Sequence, residues 1–119
     1  MNNIEVGNLG EQAAADYLHQ SGYEVLTRKY RTKIGEIDII AKLKDTVVFV
    51  EVKTRRSTRC GFPAEAVTYR KQQKIMNTAM YYLSYTDQTQ LYCRFDVIEV
   101  FLSDRTMIKY NHIIDAFRA

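Results

Sequence analysis

Glu36-Ile37-Asp38-Ile39-Ile40-Ala41-Lys42-Leu43-Lys44-Asp45-Thr46-Val47-Val48-Phe49-Val50-Glu51-Val52-Lys53-Thr54 decides the fold. Two β-branched runs, Glu36 to Leu43 and Thr46 to Thr54, flank the short polar break Lys44-Asp45, the pattern of an antiparallel hairpin. The second run is apolar on both faces from Val47 to Val50, as expected of a strand in the middle of a sheet. With a turn centred on Lys44-Asp45, residues whose numbers sum to 89 face one another, so Asp38 opposes Glu51 and Glu36 opposes Lys53. Period-two alternation places Glu36 and Asp38 on one face, with Ile37 and Ile39 on the other, and sets Glu51 and Lys53 on one face. Opposed carboxylates inside a sheet destabilise it unless something positive lies between them. Oxygen donors alone point to Mg²⁺ or Mn²⁺ rather than zinc, and Lys53 would offset the remaining charge or hold a phosphate oxygen.

Outward from the hairpin, Val6 to Gln20 reads as a helix that ends at Ser21-Gly22 and carries Glu11 on the same face as Ala14, Ala15 and Leu18. Glu11 therefore points toward the sheet and is a candidate third metal ligand; the alternative is an acid on the frayed start of a helix. Tyr23 to Tyr30 reads as a strand. After the hairpin, Arg55 to Phe62 reads as a loop, and Pro63 to Val67 as a short turn. Thr68 caps a longer helix with Gln72, Ile75, Met76, Ala79 and Leu83 on one stripe, ending near Ser84. Leu91 to Leu102 is a strand and Met107 to Tyr110 a shorter one, and Ile113 to Phe117 is expected to form a final turn or helix. The order describes one α/β domain over residues 1–119, with a mixed sheet.

The 119 residues are 46% hydrophobic with one Pro and five Gly, enough for one core and too few breakers for long disordered tracts. No apolar run is long enough to span a membrane, and Met1 to Glu5 do not resemble a secretory leader. Cys60 and Cys93 form no Cys-x-x-Cys motif, consistent with a reducing, cytoplasmic setting and thiols that bind no metal. A net charge of +3 permits a polyanionic partner. The basic residues cluster as Lys29, Arg31 and Lys33, as Arg55, Arg56 and Arg59, and as Arg70, Lys71 and Lys74. These are candidate nucleic-acid contacts, although each cluster taken singly also fits a solvated loop or helix start.

Gly7-Asn8-Leu9-Gly10-Glu11, Gly35-Glu36-Ile37-Asp38-Ile39-Ile40 and Phe49-Val50-Glu51-Val52-Lys53-Thr54-Arg55 together resemble the UPF0102 (YraN-like) family. The likeness continues through Lys71-Gln72, Arg94-Phe95-Asp96-Val97 and Asp115-Ala116-Phe117. The resemblance implies a restriction-endonuclease-like fold of the PD-(D/E)XK superfamily, an αβββαβ arrangement akin to archaeal Holliday-junction resolvases. It further implies that Asp38 and Glu51 hold the metal with Glu11 as a helix-borne acid, that Lys53 is catalytic, and that Lys71 and Gln72 support the site. Two departures are visible: Lys44-Asp45-Thr46 lacks the glycine common in this turn, and Cys60 stands where an aromatic residue is usual. The expectation is a metal-dependent endonuclease acting on DNA, with branched DNA as the suggested substrate and a homodimer suited to symmetric cuts. The alternatives are a non-catalytic nucleic-acid-binding module of the same fold and a protein-interaction domain whose charges are structural.

Overall fold

A computed structural model describes residues 1–56, 67–102 and 107–119. Helix α1 (Asn3–Gln20) leads into strands β1 (Glu24–Arg31), β2 (Glu36–Leu43) and β3 (Thr46–Arg55), followed by helix α2 (Tyr69–Tyr85) and strands β4 (Tyr92–Phe101) and β5 (Lys109–Phe117). The five strands hydrogen-bond in chain order. Only β3 and β4 run parallel, because α2 carries the chain between them; the other three pairs are antiparallel. This is the mixed α/β sheet with flanking helices expected from the sequence, and it is compatible with a restriction-endonuclease-like fold.

Alternation along the central strands builds a core on each face. Val47 and Phe49 pack with Ile75, Met76, Ala79 and Leu83 of α2, while Val48 and Val50 pack with Ala13, Ala14 and Leu18 of α1. β4 does the same with Phe95 and Val97 toward α2 and Ile98 and Val100 toward α1. Helix α1 lies close enough to β3 that a Cβ added at Gly10 would stand 1.9 Å from Thr54 Oγ1. That close approach sets Glu11, the next residue, against the sheet.

Two elements differ from the sequence reading by more than one residue. Helix α1 starts at Asn3, because the Asn2 side chain caps it by accepting from the Glu5 amide at 2.8 Å. The Thr68 cap of α2 is as expected, its hydroxyl accepting from the Lys71 amide. The expected turn or helix at Ile113 to Phe117 is instead the second half of β5, continuous with the short strand read at Met107 to Tyr110. Partner strand β4 dictates this conformation, and a bulge opposite Asp96 hides the alternation. Arg59, Cys60, the loop leading to Phe62 and the turn at Pro63 lie outside the described residues.

Candidate active site

The hairpin register is the one expected. Leu43↔Thr46, Lys42↔Val47, Ala41↔Val48, Ile40↔Phe49 and Ile39↔Val50 all pair with numbers summing to 89. Beyond Ile39 the backbone ladder stops, and a side chain continues it: the Val52 amide donates to Asp38 Oδ2 at 2.8 Å. Asp38 thus occupies the opening of a fork between β2 and β3.

Alternation also breaks at this point, contrary to the period-two expectation. Ile37 joins the core under α2 whereas Ile39 joins the core under α1, so the face switches across Asp38. Directly opposite on β1, Lys29 adopts a left-handed backbone at φ 53°. In a regular strand Arg28 and Lys29 would point to opposite faces. Here both reach Glu11, with Arg28 Nε 3.1 Å from Oε1 and Lys29 Nζ 3.0 Å from Oε2. Lys29 Nζ also donates to Asn8 Oδ1 at 2.9 Å. The carboxylate of Glu11 is buried and held by two cations, and Arg28 is a site-shaping residue that the sequence reading missed.

Asp38 and Glu36 border two clefts. One, of about 490 Å³, is completed by Gly35, Glu51, Thr68, Arg70, Lys71, Lys74 and Ile75. The other, of about 550 Å³, takes in Glu11, Lys29, Val52, Thr54, Arg56 and the start of α1. Asp38 therefore lines one cleft with Glu51 and the other with Glu11. Burial, reinforced by the charge of Glu51 and a hydrogen bond with it, pushes the Asp38 carboxyl up to about 7 against the opposing pull of the Val52 amide and Lys71. Glu51 is 5% exposed and pairs with Lys71 Nζ at 3.1 Å. The Val52 amide and the Lys71 ammonium thus each engage one oxygen of the acid pair.

The predicted cations fall into different settings. Lys53 borders neither cleft; its neighbour in the parallel register is Glu99, and the expected Glu36–Lys53 pair is replaced by Glu36 with Arg31 at 3.4 Å. Arg55 pairs with buried Glu99 at 3.4 Å, and Arg56 donates to Asn3 Oδ1 at 2.7 Å. Arg70, Lys71 and Lys74 line the first cleft, Lys33 is exposed, and the Gln72 amide nitrogen donates to the Val67 carbonyl at 3.1 Å. Gln72 therefore tethers the approach to α2.

The acid pair suits a hard divalent cation: two carboxylates side by side, poorly solvated, with their mutual repulsion visible in the raised Asp38 carboxyl. Among the described residues no three His, Cys, Asp or Glu side chains stand close enough to hold an ion together. Water and phosphate oxygens would have to complete the shell, as is usual for Mg²⁺.

A second polar centre, away from the clefts, escaped the sequence reading. Asp96 is fully buried and accepts from Arg94 Nε and Nη2, both at 2.9 Å, and from the Asp115 amide at 2.9 Å. His112 Nε2 lies 2.7 Å from its Oδ2, with Tyr17 Oη 3.0 Å from the other ring nitrogen. Arg94 also donates to the Tyr23 hydroxyl at 2.8 Å. Burial alone would raise the Asp96 carboxyl, but His112, Arg94 and the Asp115 amide together hold it below the usual carboxylate range. The Arg94-x-Asp96 spacing was the one available signal, since i and i+2 share a strand face.

A family model described as "Uncharacterised protein family UPF0102" matches residues 10–100. A UPF0102 protein of Caldanaerobacter subterraneus is 48% identical over 119 residues, covering 98% of each chain. One from Clostridioides difficile is 46% identical over 117 residues, covering 98% of this chain and all of that one. A Clostridium botulinum relative is 52% identical over 102 residues, 85% of this chain and 83% of that protein. With matches of this extent spanning the hairpin, the acid pair and the Asp96 centre alike, the chain belongs to the UPF0102 family.

Proposed function

We propose that this protein is a metal-dependent phosphodiesterase that cuts DNA at the cleft where Asp38 and Glu51 adjoin. The observation that carries the reading is this carboxylate pair beneath three cationic side chains, Arg70, Lys71 and Lys74. Mg²⁺ or Mn²⁺, for which Asp38 and Glu51 would be the ligands, would supply charge stabilisation at the scissile phosphate and a water of lowered pKa. The chain's own residues do the rest. The Val52 amide fixes the direction of the Asp38 carboxyl, so it is held beside Glu51 in the cleft without a search over rotamers. Lys71, already 3.1 Å from Glu51, is placed to pass from the carboxylate to a phosphate oxygen and to offset the charge that develops there. That gives Lys71 the role the sequence reading assigned to Lys53. Arg70 and Lys74 hold flanking phosphates by charge, so binding reads backbone rather than base sequence. Glu11, held by Arg28 and Lys29, keeps the second cleft in shape and would reach an ion only by exchanging a cation for it. Branched DNA is the substrate class suggested by the resolvase resemblance, and two copies would be needed for symmetric cuts.

One observation favours a non-catalytic DNA-binding module: Lys71 already neutralises Glu51, which lowers the demand for an ion. Cleavage separates the two readings. Purified protein is incubated with junction, flap and linear DNA in Mg²⁺, Mn²⁺ or EDTA, beside Glu51→Gln, Lys71→Ala and Lys53→Ala. The nuclease reading expects metal-dependent cutting that falls at least a hundredfold in Glu51→Gln and Lys71→Ala, and less in Lys53→Ala, on the order expected for loss of charge stabilisation. Cutting that persists in Glu51→Gln would sink it. Salt-sensitive binding without cutting supports the module.

A further inference from the structure

Helix α2 carries more than the cleft. Arg70, Lys74, Tyr81 and Tyr85 fall at i, i+4, i+11 and i+15, one stripe of an α-helix, and all four are exposed. Tyr81 is 49% and Tyr85 78% exposed, yet their rings stack on each other, with centroids 6.1 Å apart and planes 12° from parallel. Behind them, Tyr30 of β1 meets buried Tyr82 edge-on at 5.2 Å. The stripe starts at the cleft, which Arg70 and Lys74 line, and the β1–β2 turn packs beside it: a Cβ on Gly35 would stand 3.0 Å from buried Thr78 Oγ1 and 3.5 Å from Lys74 Cβ. At the helical rise, Tyr81 lies about 10 Å and Tyr85 about 16 Å beyond Lys74. At about 3.4 Å per stacked nucleotide, that is roughly three to five steps.

Two large, flat, solvent-facing rings waste apolar surface unless something covers them, and the same stripe carries the exposed cations Arg70 and Lys74, with Lys33 exposed just after the adjoining edge strand. An occupant that is both anionic and flat-faced satisfies both features. We infer that Tyr81 and Tyr85 form a stacking platform for the unpaired bases of a DNA strand whose backbone enters the Asp38–Glu51 cleft past Lys74. Bases inside a duplex already have both faces covered, so only a single-stranded tail, flap or opened junction arm can use the platform. The inference rests on the proposed DNA function of the cleft and narrows its substrate to duplexes with an unpaired segment.

The test is made in EDTA, so that it reads binding apart from cleavage. The chain has nine Tyr and no Trp, which makes tyrosine fluorescence a direct probe. Titration with a blunt duplex and with the same duplex bearing an oligo-dT tail is followed by tyrosine quenching and by anisotropy of labelled DNA. The expected result is stronger quenching and tighter binding with the tailed DNA. Tyr85→Ala and Tyr81→Ala should each weaken tailed-DNA binding by about tenfold and leave blunt-duplex binding unchanged, whereas the Phe variants retain it. Equal affinity of wild type and both Ala variants for tailed DNA overturns the platform, even if the protein cuts DNA. Loss of self-association in the Ala variants, with DNA binding intact, overturns it in favour of a contact between copies. Tail-dependent, tyrosine-dependent binding by a protein that cuts nothing in Mg²⁺ or Mn²⁺ sustains the platform while the nuclease reading fails.

Discussion

At the scale of single residues, Asp38 has the largest consequence for how the protein responds to pH. Its carboxyl is raised to about 7 in the fold, chiefly by burial and then by Glu51, so the folded chain keeps a proton that the unfolded chain gives up near pH 4. Between those values the unfolded state binds fewer protons, and stability falls as pH rises. The metal-free protein should therefore have a higher Tm near pH 5 than near pH 8, by several degrees in a thermal melt with EDTA. Asp38→Asn keeps an oxygen acceptor for the Val52 amide and removes the repulsion with Glu51. It should melt higher than wild type at pH 8 and should lose any stabilisation by Mg²⁺ or Mn²⁺. An Asn variant that melts lower at pH 8 would contradict the placement of the two acids. This residue was legible in the sequence because opposed acids in a central hairpin need a reason. The way its side chain replaces a rung of the ladder was not, since a switch of face at one residue leaves no mark in a pattern of Ile and Asp.

Among the elements, the hairpin was read from its own residues and β5 was not. The runs on either side of Lys44-Asp45 specify their pairing locally, and all five observed pairs agree with it. Strand β5 has Tyr, Asn, His and Asp in sequence, a left-handed Asp115 at φ 56° and a bulge, so its conformation comes from β4. The fastening is Asp96, which accepts the Asp115 amide and gathers Arg94 and His112. Asp96→Asn preserves the shape but leaves Arg94 without its counter-charge and takes the carboxylate away from His112 Nε2. It should destabilise the fold by about 2–4 kcal/mol in chemical denaturation, somewhat under the range for a fully buried pair because Arg94 is partly solvated. The lowered carboxyl gives the opposite pH sign to Asp38: its contribution is present above about pH 4, the unfolded range, and is lost as pH falls through the folded value. Wild type and Asp96→Asn should therefore differ in stability above about pH 4 and draw together as the pH is lowered below it.

For the whole molecule, the charges sort by depth. Arg28, Lys29, Arg55 and Arg94 are tied to internal carboxylates, while Lys33, Arg70 and Lys74 face solvent. The small net charge of +3 hides this division, and for that reason composition alone said little about a partner. If the cleft binds a divalent ion, folding is linked to it. An ion at a hundred times its Kd should add about 2.7 kcal/mol and raise Tm, with Glu51→Gln insensitive to the same addition. A Tm that does not move with Mg²⁺ or Mn²⁺ in the millimolar range would remove the metal from the site.

The fork between β2 and β3 also turns one backbone group into a gauge. Elsewhere in the ladder an amide proton faces a carbonyl whose charge never changes, but that of Val52 faces a carboxyl that gains and loses a proton within the ordinary buffer range. Its resonance in a ¹⁵N-edited NMR spectrum should shift with an inflection close to the Asp38 value, while Val50, paired with Ile39 inside the regular ladder, moves little. The state of the site can thus be followed at an unmodified main-chain position, without a substrate and without altering either acid.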